Sequence, residues 1–178
     1  MKKLQLEELG RLSKDEFKTS LKMPVVVVLD NIRSLHNVGS VFRTCDAFAV
    51  EAIYLCGITA CPPNREIYKT ALGSEETVSW KHFKSTKEAI EILTANLFDI
   101  YAIEQTTESI FLQDFNPSIH QRLAIIFGNE VDGVQSELLP LCKGAIEIPQ
   151  FGTKHSLNVS VGAGIVLWEM AKKFNISH

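Results

Sequence analysis

The chain has 178 residues, 46% hydrophobic and 22% charged, with 10 glycines, 6 prolines and a net charge of −3. This balance suits one soluble globular domain and excludes a disordered, collagenous or coiled-coil chain. Its apolar runs, such as residues 24–29 and 123–127, fall far short of the roughly 20 apolar residues that cross a bilayer, and the Met-Lys-Lys-Leu-Gln start lacks the apolar stretch of a signal peptide, so a cytoplasmic protein without membrane contact is expected.

Residues 1–22 predict an amphipathic lead-in helix over 6–21, stopped before Pro24. Beyond it, short β-branched or apolar runs alternate with helical patterns. Strands are predicted at 25–29, 52–56, 78–83, 100–103, 123–127 and 145–148, and helices at 38–48, 66–72, 87–97, 136–142 and 157–174. In the last helix Val161, Ile165, Trp168 and Ala171 recur at helical spacing. Several strands are apolar at every position, as in a sheet covered on both faces, so the expected fold is α/β with a mostly parallel sheet flanked by helices. No repeat or Pro/Gly/Ser linker divides the chain, which predicts a single domain over 1–178, with 1–22 as lead-in and 23–178 as core.

Charge is unevenly distributed. Residues 1–22 carry Lys2, Lys3, Arg11, Lys14, Lys18 and Lys22 against four acids, and residues 64–87 are also mildly basic, whereas from 88 to 147 only Arg122 and Lys143 oppose ten carboxylates. A polyanion would therefore meet the two basic segments; ordinary solvated surface explains the same charges. Cys45, Cys56, Cys61 and Cys142 form no Cys-x-x-Cys pair and have no histidine at metal spacing, so they read as reduced structural thiols and no metal is expected.

Three polar clusters interrupt this pattern. After the first strand comes Asp30-Asn31-Ile32-Arg33-Ser34-Leu35-His36-Asn37-Val38-Gly39, with Arg43 one turn beyond Gly39. Polar residues at a strand's C-terminal end sit where open α/β sheets bind ligands, and Asn37 is expected to cap the following helix. Val38, Val41, Phe42 and Cys45 form the expected buried stripe, with Gly39 and Arg43 off it. The second cluster, Phe127-Gly128-Asn129-Glu130-Val131-Asp132-Gly133, ends a buried strand in a turn where Gly128 would let a flat ligand approach the main chain. The third runs from Ile148-Pro149 through Gly152, Lys154 and His155 to Ser156-Leu157-Asn158-Val159-Ser160 at the start of the last helix. Val161-Gly162-Ala163-Gly164 only imitates a dinucleotide fingerprint, because a polar loop and not a strand precedes it; its glycines are expected to permit close helix packing. Taken singly, each cluster is also explained by turns, caps and solvated side chains.

Together, in this order and at these separations, they resemble the SpoU/TrmH branch of the SPOUT superfamily, RNA ribose 2′-O-methyltransferases that use S-adenosylmethionine. The resemblance covers roughly residues 24–174. Asn37-Val38-Gly39 with Arg43 looks like the first family motif, Phe127-Gly128-Asn129-Glu130 with Gly133 like the second, and Ile148-Pro149 with Ser156-Leu157-Asn158-Val159-Ser160 like the third. It implies a C-terminal deep trefoil knot that holds the cofactor and a homodimer that completes the site. It also implies catalytic positions at Arg43, Asn37, Glu130, Ser156 and Asn158, and cofactor contacts at Gln105, Thr106, Phe127, Gly128, Ile148, Ser156 and Leu157.

Deprotonating a guanidinium at pH 7 costs about 7–9 kcal/mol, so Arg43 is expected to act as a charged phosphate anchor and not as a base. Lys154 and His155, in the loop before the last helix, either touch RNA or stay solvated, and solvation is the favoured reading. The short basic lead-in, in place of a separate RNA-binding domain, favours tRNA over ribosomal RNA. A non-catalytic RNA-binding module that holds the cofactor is the reading from another class; the presence of Arg43, Asn37 and Glu130 favours the enzyme.

Overall fold

The structure, a computed structural model, describes residues 1–174. Seven strands form one sheet in the order β3-β2-β1-β6-β4-β7-β5, and every pairing is parallel. They are β1 (Met23–Asp30), β2 (Val50–Cys56), β3 (Trp80–Phe83), β4 (Asp99–Ile103), β5 (Ile110–Phe111), β6 (Leu123–Phe127) and β7 (Gly144–Glu147). The helices are α1 (Lys14–Thr19), α2 (Leu35–Ala47), α3 (Arg65–Ala71), α4 (Thr86–Ala95) and α5 (Val159–Lys173).

The uninterrupted valines of β1 explain its central place. Val25, Val27 and Leu29 point into a core shared with α2, α3 and α5, while Val26 and Val28 point into a second core closed by Ala89, Ile90 and Leu93 of α4. Both faces are therefore dry, as the sequence predicts, and each fully buried aliphatic side chain contributes about 1.5–3 kcal/mol relative to exposure.

From β1 the chain steps outward to β2 and β3, then crosses to the other side, where β6, β4, β7 and β5 follow. Connections thus diverge at the C-terminal end of β1, which opens a crevice there. Buried side chains tie the loops at that end together. The Asp30 carboxylate accepts hydrogen bonds from Thr86 Oγ1 (2.5 Å), Asn31 Nδ2 (2.9 Å) and the Gln135 backbone N–H (3.2 Å). Asn31, in the left-handed region at φ 54°, accepts from the Ile58 N–H at 3.1 Å.

Several expectations are corrected. The lead-in is not one helix. A 3-10 turn at Leu6–Leu9 ends on Gly10 at φ 59°, and α1 starts separately behind Ser13, whose side chain accepts from the Glu16 N–H. Residues 136–141 form a 3-10 helix containing Pro140, which lacks the N–H an α-helix needs. The N-cap of α2 is Ser34, whose hydroxyl accepts from the Asn37 N–H at 3.3 Å; Asn37 lies inside the first turn. The apolar stripe of α5 mostly faces outward: Val161, Ile165 and Trp168 are 51%, 39% and 58% exposed, while Gly162, Ala163, Val166, Leu167 and Met170 are buried.

Close helix packing belongs to Gly39, not to the glycines of α5. A Cβ on Gly39 would lie 2.3 Å from the Ile67 carbonyl oxygen of α3, whereas one on Gly164 would meet nothing within 4 Å. The two-residue strand β5 was too short to leave an alternating pattern. No helix of the described residues is long and apolar enough to cross a membrane.

Candidate functional site

At the C-terminal ends of β6, β4 and β7 lies a cavity of about 600 Å³, within the range of pockets that hold cofactors. One wall is the turn after β6. Asn129 and Gly133 exchange two backbone hydrogen bonds of 3.1 Å, and the Asn129 side chain accepts from the Val131 and Asp132 N–H groups at 2.9 and 3.0 Å. Gly128 lines the cavity, but its lack of a side chain answers to the turn itself: a Cβ there would stand 1.9 Å from the Gly133 carbonyl carbon and 2.0 Å from the Val134 nitrogen. The turn reading of this glycine therefore stands beside that of ligand approach.

The turn presents Glu130 to the start of α2. Its carboxylate accepts from Asn37 Nδ2 (2.8 Å) and from the Arg33 and Ser34 N–H groups (3.3 and 3.4 Å). Partial burial pushes the carboxyl up, but the hydrogen bonds from Asn37 and from the backbone of Glu130, Arg33 and Ser34 outweigh it and hold it below the ordinary glutamate value. Asn37 Oδ1 in turn accepts from Asn158 Nδ2 at 3.1 Å. Asn158 caps α5, its Oδ1 accepting from the Ser160 N–H at 2.9 Å and hydroxyl at 2.7 Å. One hydrogen-bonded chain, Glu130 to Asn37 to Asn158, therefore joins the three sequence clusters at the cavity's edge.

Phe127, Ile148, Leu157 and Ile103 give the cavity its apolar lining, and Ser156 and Asn158 stand at the start of α5. Gln105 also lines it, and its Nε2 donates to the His155 carbonyl at 3.1 Å, which pins the 148–158 segment across the end of β4. Thr106 does not line it; the Thr106 hydroxyl accepts from the Glu108 N–H at 3.3 Å and its carbonyl from Ser109 Oγ at 3.0 Å, so it builds the next turn.

Arg43 is not in this cavity either. Six residues after Asn37, about 9 Å along the helix axis, it is exposed in a second depression with Ser40, Thr44, Phe48, Lys69 and Gly164.

Sequence reasoning missed Glu104. Its carboxylate accepts from the Val134 N–H (3.1 Å) and the Gln105 N–H (2.9 Å), bracing the glycine turn from the side of β4. A carboxylate directly after a buried parallel strand was the available signal. With Glu130, Asp132 and Glu147 it makes the cavity wall acidic. A ligand with an apolar flat part and a positive charge suits such a wall.

The SpoU rRNA Methylase family profile matches residues 24–168. This chain belongs to that family. It is 33% identical over 150 residues to a tRNA (guanosine(18)-2′-O)-methyltransferase of Thermus thermophilus, covering 84% of this chain and 75% of the relative. Among solved structures, the A. aeolicus TrmH/SpoU tRNA modifying enzyme superposes with a TM-score of 0.80 at 25% identity, covering 91% of this chain and 81% of that one. An AdoMet-bound rRNA methyltransferase from Sinorhizobium meliloti gives 0.79 at 25% identity, covering 94% of this chain and 62% of the other. The family match spans all three clusters. Gly162 and Gly164 fall inside α5, behind a loop, which removes the structural basis for a dinucleotide fingerprint there.

Proposed function

We propose that this SpoU family chain is an S-adenosylmethionine-dependent methyltransferase acting on a ribose 2′-hydroxyl of tRNA, in the cytoplasm and as a homodimer. The observation that carries the reading is the Glu130–Asn37–Asn158 hydrogen-bonded chain at the mouth of the acidic cavity. When bound, S-adenosylmethionine supplies an electrophilic methyl group on a positively charged sulfur. Apolar Phe127, Ile148 and Leu157 fit its adenine, the backbone at Gly128, Ile148 and Leu157 would read the adenine edge, and Gln105 and Ser156 add polar contacts. Glu104, Glu130 and Glu147 oppose its positive charge. Asn158 and Ser156 stand where a ribose would enter.

Arg43 supplies a phosphate anchor and a fixed positive charge for the developing alkoxide. Since it sits outside its own chain's cavity, a second copy must complete the site. The outward stripe Val161, Ile165 and Trp168 borders that depression through Gly164, and the Phe48 and Trp168 rings lie 6.1 Å apart, so α2 and α5 offer one continuous apolar face for the second copy. A single domain over 1–178 and a trefoil knot in its C-terminal part belong to the same reading. In its support, β7 inserts between β4 and β5, and the following segment returns across the end of β4.

Calorimetry with S-adenosylhomocysteine tests the cofactor assignment. One site per chain is expected; no binding alongside binding of NADH would refute it. Transfer to ribosomal RNA but not to tRNA would replace the substrate and leave the chemistry intact.

A further inference from the structure

Phe151 is 98% exposed, against 58% for Trp168, 57% for Tyr68 and 47% for Phe111. No other aromatic side chain of the described residues stands so fully in water. Its position is not arbitrary. Gln150 and His155, on either side of it in the chain, both line the cofactor cavity, and Gln105 holds the His155 end of the loop. The neighbouring Gly152 has nothing within 4 Å of where a Cβ would be. Lys154, the loop's one cation, is exposed as well.

We propose that Phe151 is a stacking platform for a nucleobase of the substrate RNA beside the reacting ribose, with Lys154 meeting a phosphate of the same strand. The inference rests on the RNA methyltransferase reading above and adds a substrate-binding residue to it. A ribose delivered to a recessed cavity must leave its helical stack, and an aromatic face replaces the stacking its base loses. Phenylalanine has no hydrogen-bonding group, so it accepts any base and holds position without reading sequence. Charge points to the same loop: Glu104, Glu130, Asp132 and Glu147 around the cavity repel a phosphate backbone, whereas Lys154 attracts one. Lys154 is thus solvated in the free protein and engaged in the complex.

The test uses the full chain, S-adenosylmethionine and a pool of unmodified tRNA and ribosomal RNA transcripts. Phe151→Ala and Phe151→Leu should each lower kcat/KM by about 5- to 150-fold, the equivalent of about 1–3 kcal/mol per stacked base. The loss should appear mainly in KM. Affinity for S-adenosylhomocysteine and the sedimentation coefficient should not change. Phe151→Trp should keep activity and gain an indole fluorescence signal, above that of Trp80 and Trp168, that is quenched as RNA is added. Lys154→Gln should reduce the salt slope of RNA binding by about one.

Wild-type activity in Phe151→Leu would overturn the proposal alone, since leucine keeps the apolar bulk without the π face. So would a Phe151→Ala chain that dissociates to monomers, which would place the ring between two copies. A wild-type chain that binds S-adenosylhomocysteine but no RNA would overturn the underlying reading and this inference with it.

Discussion

Glu130 shows how one residue ties fold to chemistry. Four donors hold its carboxylate in the charged form against the effect of partial burial, so its value lies below that of the unfolded chain. A depressed carboxyl stabilises the fold above the unfolded value near about 4.3, and that contribution disappears as pH falls through the folded value. Acidification from pH 5 to pH 3 should therefore weaken both the fold and the binding of a cationic ligand. Glu130→Gln should flatten this acid limb in a pH series of urea unfolding curves; an unchanged slope would contradict the assignment.

Asp30 is fully buried and satisfied by three donors from three segments. Asp30→Ala strands the Thr86 hydroxyl and the Gln135 N–H, while Asn31 Nδ2 keeps its bond to Gln135 Oε1 at 2.9 Å; the cost is about 1–3 kcal/mol for each donor left unsatisfied, and urea denaturation measures it. The role of Gly128 was only half legible, because its tight contact is with Gly133 and Val134, a closure visible only once the turn is built.

At the scale of elements, the strands and the alternation with helices were legible because continuous apolar runs leave few alternatives in a doubly covered sheet. The ends of α2 and α5 were less so. Asn37 looked like a cap because asparagine favours that role, but Ser34 takes it, and this frees the Asn37 side chain to bridge Glu130 and Asn158. Ser34→Ala should cost about 1 kcal/mol of stability, readable as a shift in the denaturation midpoint, while Asn37→Ala should act chiefly on transfer rate. The α5 stripe was legible as an apolar face, but periodicity does not say what covers it, and the structure turns Val161, Ile165 and Trp168 outward. Gly39→Ala tests the α2 and α3 contact: the helices must part to admit a methyl group, at a cost of about 1–3 kcal/mol.

For the whole molecule, Glu130, Ser156 and Asn158 line one cavity and Asn37 is hydrogen-bonded to its edge, whereas Arg43 lies in a second depression, a separation invisible to motif spacing because Asn37 and Arg43 stand on the same helix. The homodimer reading resolves this. Trp168→Glu, on the exposed face of α5, should yield a monomer by light scattering that still binds S-adenosylhomocysteine and has lost transfer. A monomer with full activity would contradict the shared site. The central claim is ribose methylation of RNA, and it is tested most directly by incubating the wild-type protein with isotopically labelled S-adenosylmethionine and tRNA transcripts, digesting the RNA and identifying the labelled nucleoside by mass spectrometry. The account predicts label on a ribose 2′-oxygen, abolished by Arg43→Ala; label on a base, or none from a protein that binds the cofactor, would contradict it.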